Sequence, residues 1–244
     1  MVTPVSFEVK ETDLMGRVGV MSGARSYLVL GLICVLSFLA VTALVFSDAT
    51  QGADAQLAVA INHADLGSVV TSILVDFSQY GREYFWIPVV GVMLVAGNRR
   101  TKLLAVELAA LFVVGIALGE AMKLLVFRAR PFESIDTIIT RVPTDLDSSF
   151  PSGHALIVSI GAAFSMLKFR RRAVASLLAL EAAIVCYSRV FVGMHYPLDV
   201  VAGVLLGMGI VGVGLFLIET YLAGPMTRVA SLVTDRLRDG PLDL

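Results

Sequence analysis

The chain has 244 residues, of which 57% are hydrophobic and only 16% are charged, and its net charge is −1. A soluble domain is normally about half apolar and about a quarter charged, so this balance indicates an integral membrane protein. The near-zero charge argues against a nucleic-acid partner, because such proteins neutralise phosphates with many basic residues. Both cysteines, Cys34 and Cys186, lie inside apolar runs, which argues against a disulfide or a thiolate metal site.

Six apolar stretches come close to the ~20 residues that a membrane-spanning helix needs. The second stretch is short, and the segment 66–80 before it has the mixed pattern of an amphipathic surface helix. A signal peptide is the alternative for the first stretch, but its apolar core is longer than the usual ~7–15 residues. The sequence therefore predicts an all-α, polytopic six-helix bundle with a surface helix between spans one and two. The predicted spans are 26–46, 84–97, 101–127, 152–169, 173–191 and 198–222.

The distribution of lysine and arginine orients this bundle, since cytoplasmic loops are richer in these residues. Thirteen of the 19 basic residues fall on the side of the six spans that carries both termini. We therefore predict a multi-pass cell-membrane protein with cytoplasmic termini. The loops that face outward are then 47–83, 128–151 and 192–197. The predicted division is a cytoplasmic segment 1–25, a membrane domain 26–223 and a cytoplasmic tail 224–244.

Polar and charged residues gather at the predicted outer ends of the last four helices. The chain reads KLLVFRARP at the end of the third helix, PSGH at the start of the fourth, and SRVFVGMHYPLD between the fifth and the sixth. Arginine and lysine neutralise phosphate, and the N–H groups at a helix N-terminus bind an anion. Pro151 and Ser152 suit the first turn of a helix, and Gly153 lets a phosphate approach the backbone. The combination predicts an oxyanion site that fits phosphate best.

His195 and Asp199 are four residues apart, which places them on one face if the segment is helical. A carboxylate that binds one imidazole nitrogen fixes the tautomer and leaves the other nitrogen free as a nucleophile or base. Pro197 lies between them and favours a helix that begins at or just before it. The sequence therefore predicts a contact between His195 and Asp199 but leaves its geometry open.

In this order and spacing, the three clusters resemble the signature of the type-2 phosphatidic acid phosphatase superfamily. That signature reads K-x6-R-P, then P-S-G-H, then S-R-x5-H-x3-D, and no position of it departs in this chain. The resemblance extends from the third helix to the start of the sixth. The matching residues are Lys123, Arg130, Pro131, Pro151, Ser152, Gly153, His154, Ser188, Arg189, His195 and Asp199.

The resemblance implies a role for each of these residues. His195 attacks phosphorus to form a phosphohistidine, Asp199 orients His195, and His154 protonates the leaving oxygen and then activates water. The resemblance further implies that the enzyme needs no metal or other cofactor, in agreement with a sequence that lacks the clustered carboxylates of a magnesium site. The phosphoryl oxygens are bound by Lys123, Arg130, Ser152, the Gly153 N–H and Arg189, while Pro131, Pro151 and Ser188 support the site.

These expectations predict an integral membrane lipid phosphate or diphosphate phosphatase that takes its substrate from the bilayer. Polyprenyl diphosphate, phosphatidate and phosphatidylglycerol phosphate are the candidate substrates. One alternative is a phosphotransferase that passes the phosphoryl group to a lipid or sugar acceptor. A second is a non-enzymatic transporter or lipid-binding protein, which the clustering of charge at one membrane face disfavours. The oligomeric state stays open.

Several residues outside the signature also have a predicted role. Arg128 is interpreted as a cation that attracts anionic headgroups or substrate. Glu120 precedes Lys123 by three residues and is expected to pair with it. Tyr84, Phe85 and Trp86 have the composition of an anchor at the membrane interface. Glu107 and Glu181 are expected to serve packing and hydrogen bonding rather than catalysis.

Overall fold

A computed structural model describes residues 11–238 of the chain, and over that range the structure is all-helical. The outermost parts of the predicted cytoplasmic segments, residues 1–10 and 239–244, lie outside the described residues. The last two helices are joined by a π-helical turn, Ile218–Leu222. The helices are α1 (Glu11–Val45), α2 (Asp48–Asn62), α3 (Gly67–Tyr80), α4 (Glu83–Val95), α5 (Arg99–Leu125), α6 (Pro131–Ser134), α7 (Gly153–Lys168), α8 (Arg172–Phe191), α9 (Pro197–Leu217) and α10 (Ala223–Arg238).

Six apolar helices lie where the sequence predicts spans, but their lengths differ. Among the described residues, four helical segments are long and apolar enough to cross a membrane: Gly23–Val45 of α1, α5, α8 and the continuous stretch Pro197–Leu232. Helices α4 and α7 have 13 and 16 residues, which is less than the ~20 that a perpendicular span needs. The predicted helical membrane protein is therefore confirmed with four candidate spans, whereas the count of six stays a prediction. Between α1 and α4 the structure has two helices, α2 and α3, where the sequence predicts one surface helix.

Helix α9 lies at the centre of the bundle and packs against both α1 and α7. Its glycines allow the backbones to meet: a Cβ on Gly203 would lie 2.5 Å from the Ser152 carbonyl oxygen, and one on Gly207 would lie 2.6 Å from that of Leu156. No side chain fits at these distances, so close packing depends on glycine at both positions. This packing brings together the starts of α7 and α9, where the Ser152 N–H donates to the Asp199 carbonyl at 3.0 Å.

Trp86 differs from its predicted role at the membrane interface. Its side chain is 2% exposed and packs edge-on against Phe112, whereas Tyr84 is 73% exposed. A Cβ on Gly161 would lie only 2.2 Å from the indole ring, so Trp86 fills a space that α7 leaves open. Successive residues of a helix point in directions about 100° apart, and a single run of aromatic residues therefore serves both the core and the surface.

Candidate active site

The three sequence motifs meet at one end of the bundle, where α5 and α8 end and α7 and α9 begin. The Arg130 Nη1 atom lies 3.5 Å from the His195 Nε2 atom. The Lys123 Nζ atom lies 3.9 Å from the position that a Cβ would take on Gly153. The His195 N–H donates to the Arg189 carbonyl at 3.2 Å. Residues from three separate motifs thus form one polar cluster, as the motifs predict.

Helix α7 begins at Gly153, and Ser152 caps it. The buried Ser152 hydroxyl accepts a hydrogen bond from the Ala155 N–H at 3.4 Å, which satisfies one N–H group of the first turn. The other N–H groups of a first turn have no carbonyl partner within their own helix, so they remain suited to bind an anion. His154 follows directly and is half-buried. The start of this apolar helix therefore combines anion-binding N–H groups with an imidazole.

His195 is buried and held in one tautomer. Its Nδ1 lies 2.8 Å from the Ser149 carbonyl oxygen, and because a carbonyl can only accept, Nδ1 carries the hydrogen. Nε2 then has the lone pair, on the side that faces Arg130. Burial, together with the charges of Arg189 and Arg130, lowers the pKa of His195 well below its usual value. At neutral pH the ring is therefore uncharged, with Nε2 available as a nucleophile.

Asp199 lies close to His195, as the spacing predicts, but forms no hydrogen bond with it. Its Oδ2 lies 3.8 Å from Nδ1 of His195, too far for such a bond. The reason is that α9 begins at Pro197, so His195 precedes the helix and the spacing of four residues does not align the pair. Asp199 instead accepts hydrogen bonds from the Ser149 hydroxyl and, at 2.9 Å, from the Tyr196 N–H. Ser149 thus connects the two residues, because its carbonyl binds His195 while its hydroxyl binds Asp199.

Arg128 forms buried ion pairs and is not the free cation that the sequence indicates. Its Nη1 donates to Oδ1 of Asp199 at 2.5 Å, and its Nη2 donates to Oδ2 of Asp54 at 2.7 Å. The guanidinium also stacks over the Tyr196 ring, 3.9 Å from its centroid. The Arg128 side chain is 12% exposed, so it is not available to collect headgroups. Sequence reasoning missed Asp54 because α2 carries no motif.

The three basic residues assigned to phosphate binding all have protein partners in this structure. Arg130 donates to the Met194 carbonyl at 3.1 Å and to the Asp147 carboxylate. Lys123 also donates to Asp147, and its Nζ lies 3.5 Å from a carboxylate oxygen of Glu120, which confirms the predicted pairing with that residue. The buried Arg189 donates to the Ser78 hydroxyl of α3 at 2.7 Å. The sequence carries no signal that would identify either Asp147 or Ser78 as part of the site.

The three supporting residues of the motifs have structural positions. Pro131 is buried at the start of the short helix α6, directly after Arg130. Pro151 is buried immediately before the Ser152 cap. Ser188 is buried within α8, and its hydroxyl donates to the Val185 carbonyl at 2.7 Å. All three therefore lie in the segments that carry the polar cluster.

Known proteins resemble this chain in sequence and in fold. The chain is 37% identical over 182 residues to an undecaprenyl-diphosphatase of Sulfolobus acidocaldarius, in an alignment that covers 75% of this chain and 85% of that protein. The model of the PAP2 superfamily matches residues 102–221, the range that contains all three motifs. This chain belongs to the PAP2 superfamily.

Other proteins match a comparable length of this chain at lower sequence identity. The undecaprenyl-diphosphatase BcrC of Bacillus subtilis is 27% identical, with 72% of this chain and 90% of that protein covered. The fold resembles a transmembrane PAP2-type phosphatidylglycerolphosphate phosphatase of Bacillus subtilis, with a TM-score of 0.60, 21% identity and coverage of 80% of this chain and 96% of that one. LpxE of Aquifex aeolicus has a TM-score of 0.53, 22% identity and coverage of 67% and 92%. The predicted family and the predicted class of enzyme, a membrane lipid phosphatase, are confirmed.

The Asp147 carboxylate accepts hydrogen bonds from both Lys123 and Arg130, two of the residues that the sequence assigns to phosphate binding. Burial raises the pKa of Asp147, but the hydrogen bonds and charges of Lys123 and Arg130 outweigh burial and lower this pKa to about 2. This pKa lies below the ~3.9 of an unfolded chain. The ion pairs therefore stabilise the fold above about pH 4 and lose this effect as the pH falls towards 2.

We expect Asp147→Asn to make orthovanadate a stronger inhibitor, because an oxyanion no longer competes with a carboxylate for Lys123 and Arg130. Asp147 is partly exposed, so we expect the inhibition constant to fall by only about tenfold. The measurement is inhibition of p-nitrophenyl phosphate hydrolysis by vanadate. Asp145→Asn is the matched control, since its carboxylate lies 3.7 Å from Arg130 and is 63% exposed. Weaker inhibition of the Asp147→Asn protein would mean that Asp147 positions the cations rather than competing for them.

Proposed function

We propose that this PAP2 enzyme hydrolyses a polyprenyl diphosphate to the lipid monophosphate and inorganic phosphate. The observation that carries this proposal is the 37% identity to an undecaprenyl-diphosphatase over most of both chains. The polar cluster supports it, because three cations and a helix N-terminus lie around a buried, neutral histidine. Phosphatidate and phosphatidylglycerol phosphate are the rival substrates.

In the first step, Nε2 of His195 attacks the terminal phosphorus. A P–N bond forms while the bond from phosphorus to the bridging oxygen breaks, and that oxygen takes a proton from His154. Lys123, Arg130 and Arg189 stabilise the charge that develops on the phosphoryl oxygens. Substrate must displace the Asp147 carboxylate from Lys123 and Arg130 to reach these cations.

In the second step, water attacks the phosphohistidine. His154 takes a proton from the water, the P–N bond breaks, and inorganic phosphate leaves with His195 restored. The Ser149 carbonyl holds the Nδ1 hydrogen throughout, so the same nitrogen can react in each cycle. Asp199 supports this geometry through the Ser149 hydroxyl.

The proposal is tested by measuring phosphate release from four lipids, each assayed in the same detergent: farnesyl diphosphate, undecaprenyl diphosphate, phosphatidate and phosphatidylglycerol phosphate. We expect the highest kcat/KM on a polyprenyl diphosphate, with phosphate released in the absence of any added acceptor. A phosphotransferase would need the acceptor, and a transporter or binding protein would release no phosphate. A clear preference for phosphatidate or phosphatidylglycerol phosphate would overturn the assigned substrate.

We expect hydrolysis to persist in excess EDTA, because protein cations rather than a metal stabilise the phosphoryl group in this mechanism. Activity should stay within about twofold of that of the untreated enzyme. Removal of a catalytic metal would reduce the activity far more, because such a metal contributes several kcal/mol of transition-state stabilisation. The measurement is phosphate release before and after dialysis against chelator. Loss of activity that Mg²⁺ restores would contradict the histidine mechanism.

The topology proposal is that α4 and α7 complete six spans, with residues 1–25 and 224–244 cytoplasmic and the active site outside. The separation of basic residues supports this orientation. Thr144 is exposed. In a background without Cys34 and Cys186, the Thr144→Cys protein should react with an impermeant thiol reagent on intact cells. Arg170→Cys, in the loop between α7 and α8, is the matched control and should react only after lysis. The opposite pattern would reverse the orientation.

A further inference from the structure

Arg82 lies beside the polar cluster although it belongs to none of the three motifs and precedes the part of the chain that the family model matches. It occupies the N-cap position of α4. Its Nη1 atom lies 3.4 Å from the position that a Cβ would take on Gly153, and the Lys123 Nζ atom lies 3.9 Å from the same point. Two cations from different helices therefore flank the N-terminus of α7.

Arg82 has hydrogen-bonding capacity that the described part of the chain does not use. Its Nη2 donates to the neighbouring Glu83, but its Nε is buried and has no partner among the described residues. Its charge also repels that of the buried Arg189. The Glu83 carboxylate offsets the charge of Arg82, but a buried donor without a partner is unfavourable unless a ligand accepts from it. Arg82 therefore marks a second anion position beside the first.

A groove of about 300 Å³ begins at Arg82 and Gly153 and runs between α4, α5 and α7. The end of the groove at Arg82 and Gly153 is its head. Beyond the head the walls are largely apolar, with Trp86, Phe112 and Leu156 among the lining residues. The Gly153 end of the groove lies beside Lys123, and the apolar walls suit an isoprenoid chain rather than a polar ligand. The group that joins such a chain to the transferred phosphoryl group would lie at the head of the groove, next to Arg82.

We propose that Arg82 binds the phosphate that stays with the lipid, which makes it a specificity-determining residue for diphosphates over monophosphates. Lys123, Arg130 and Arg189 then hold the terminal phosphoryl group while Arg82 holds the proximal one. The bridging oxygen that leaves in the first step belongs to this proximal phosphate. Arg82 therefore stabilises the leaving group as well as selecting it. This inference rests on the proposed hydrolysis of a polyprenyl diphosphate.

The test compares farnesyl diphosphate with farnesyl monophosphate, which share one chain and differ by one phosphate. We expect Arg82→Gln to lower kcat/KM on the diphosphate by about 10- to 100-fold, the effect of losing a hydrogen bond to a charged group. The loss on the monophosphate should be at least about tenfold smaller, because that substrate has no proximal phosphate. Arg99→Gln is the matched control, since Arg99 starts α5 at the opposite end from Lys123. It should leave both values unchanged.

Equal losses on the two substrates, or no loss on either, would overturn the role of Arg82. Hydrolysis of p-nitrophenyl phosphate by the Arg82→Gln protein shows that the site is still assembled. If that variant does not fold, Arg82→Lys carries the same test, with a smaller but still selective loss on the diphosphate. Failure of the wild-type enzyme on both farnesyl substrates would instead contradict the proposed function, so the two failures are distinguishable.

Discussion

The His195→Ala protein is expected to release no phosphate from either a lipid monophosphate or p-nitrophenyl phosphate. Without the imidazole there is no phosphohistidine, and a better leaving group cannot replace a missing nucleophile. The loss should be on the order of 10⁴-fold or more for both substrates, as for other covalent nucleophiles. The buried position of His195, its Nδ1–H bond to Ser149 and the nearby Arg130 are the structural basis of this expectation.

The His154→Ala protein should behave differently, because a general acid matters in proportion to how much the leaving group needs a proton. Its activity on a lipid monophosphate should fall by about 10²–10⁴-fold. With p-nitrophenyl phosphate the first step needs little help, since p-nitrophenolate leaves without a proton. The second step still lacks the base that activates water, so phosphoenzyme should accumulate.

The measurement is a single-turnover burst of p-nitrophenolate recorded beside steady-state phosphate release. A burst from the His154→Ala protein and none from the His195→Ala protein supports the assigned roles. The reverse pattern would exchange nucleophile and acid between the two histidines. Equal loss in both steps for both variants would contradict the division of roles altogether.

Arg128→Ala is expected to destabilise the folded protein strongly, because two buried carboxylates lose their counter-ion together. Asp199 is fully buried, and the Asp54 side chain is only 2% exposed. Burial already raises the pKa of Asp54, and Arg128 opposes that rise. Removing one partner of a buried ion pair costs about 3–5 kcal/mol, which predicts a fall in Tm on the order of 10 °C. The measurement is thermal unfolding of the purified protein in detergent.

Arg141→Ala is the matched control for this effect. Arg141 donates to the backbone carbonyls of Asn62 and Phe191 and stacks on the Phe191 ring, so its removal leaves no buried charge unpaired. Asp54→Asn in the Arg128→Ala background should recover part of the lost stability, because it removes one of the two uncompensated charges. A fall in Tm no larger than that of Arg141→Ala would show that the Arg128 ion pairs contribute little.

The sequence by itself determined the class of protein and predicted the residues of the candidate site. Composition identified a membrane protein, and the ordered motifs identified Lys123, Arg130, His154 and His195 as one constellation. Such features are local in the chain, since a helix start or a run of apolar residues depends on neighbouring residues. The start of α7 at the Ser152 cap and the start of α9 at Pro197 were therefore both predictable.

Only the tertiary structure decided which atoms meet inside the site. His195 is held by a backbone carbonyl 46 residues away, and Arg128 pairs with Asp54 across 74 residues. The Asp147 carboxylate reaches Lys123 and Arg130 from a loop that carries no motif. Contacts of this kind depend on how close the glycines of α9 allow α7 to approach, and on where a loop closes over the helix ends. They join residues that are far apart in the chain, and the His195 contact uses a backbone carbonyl that every residue type has, so a local sequence pattern cannot specify them.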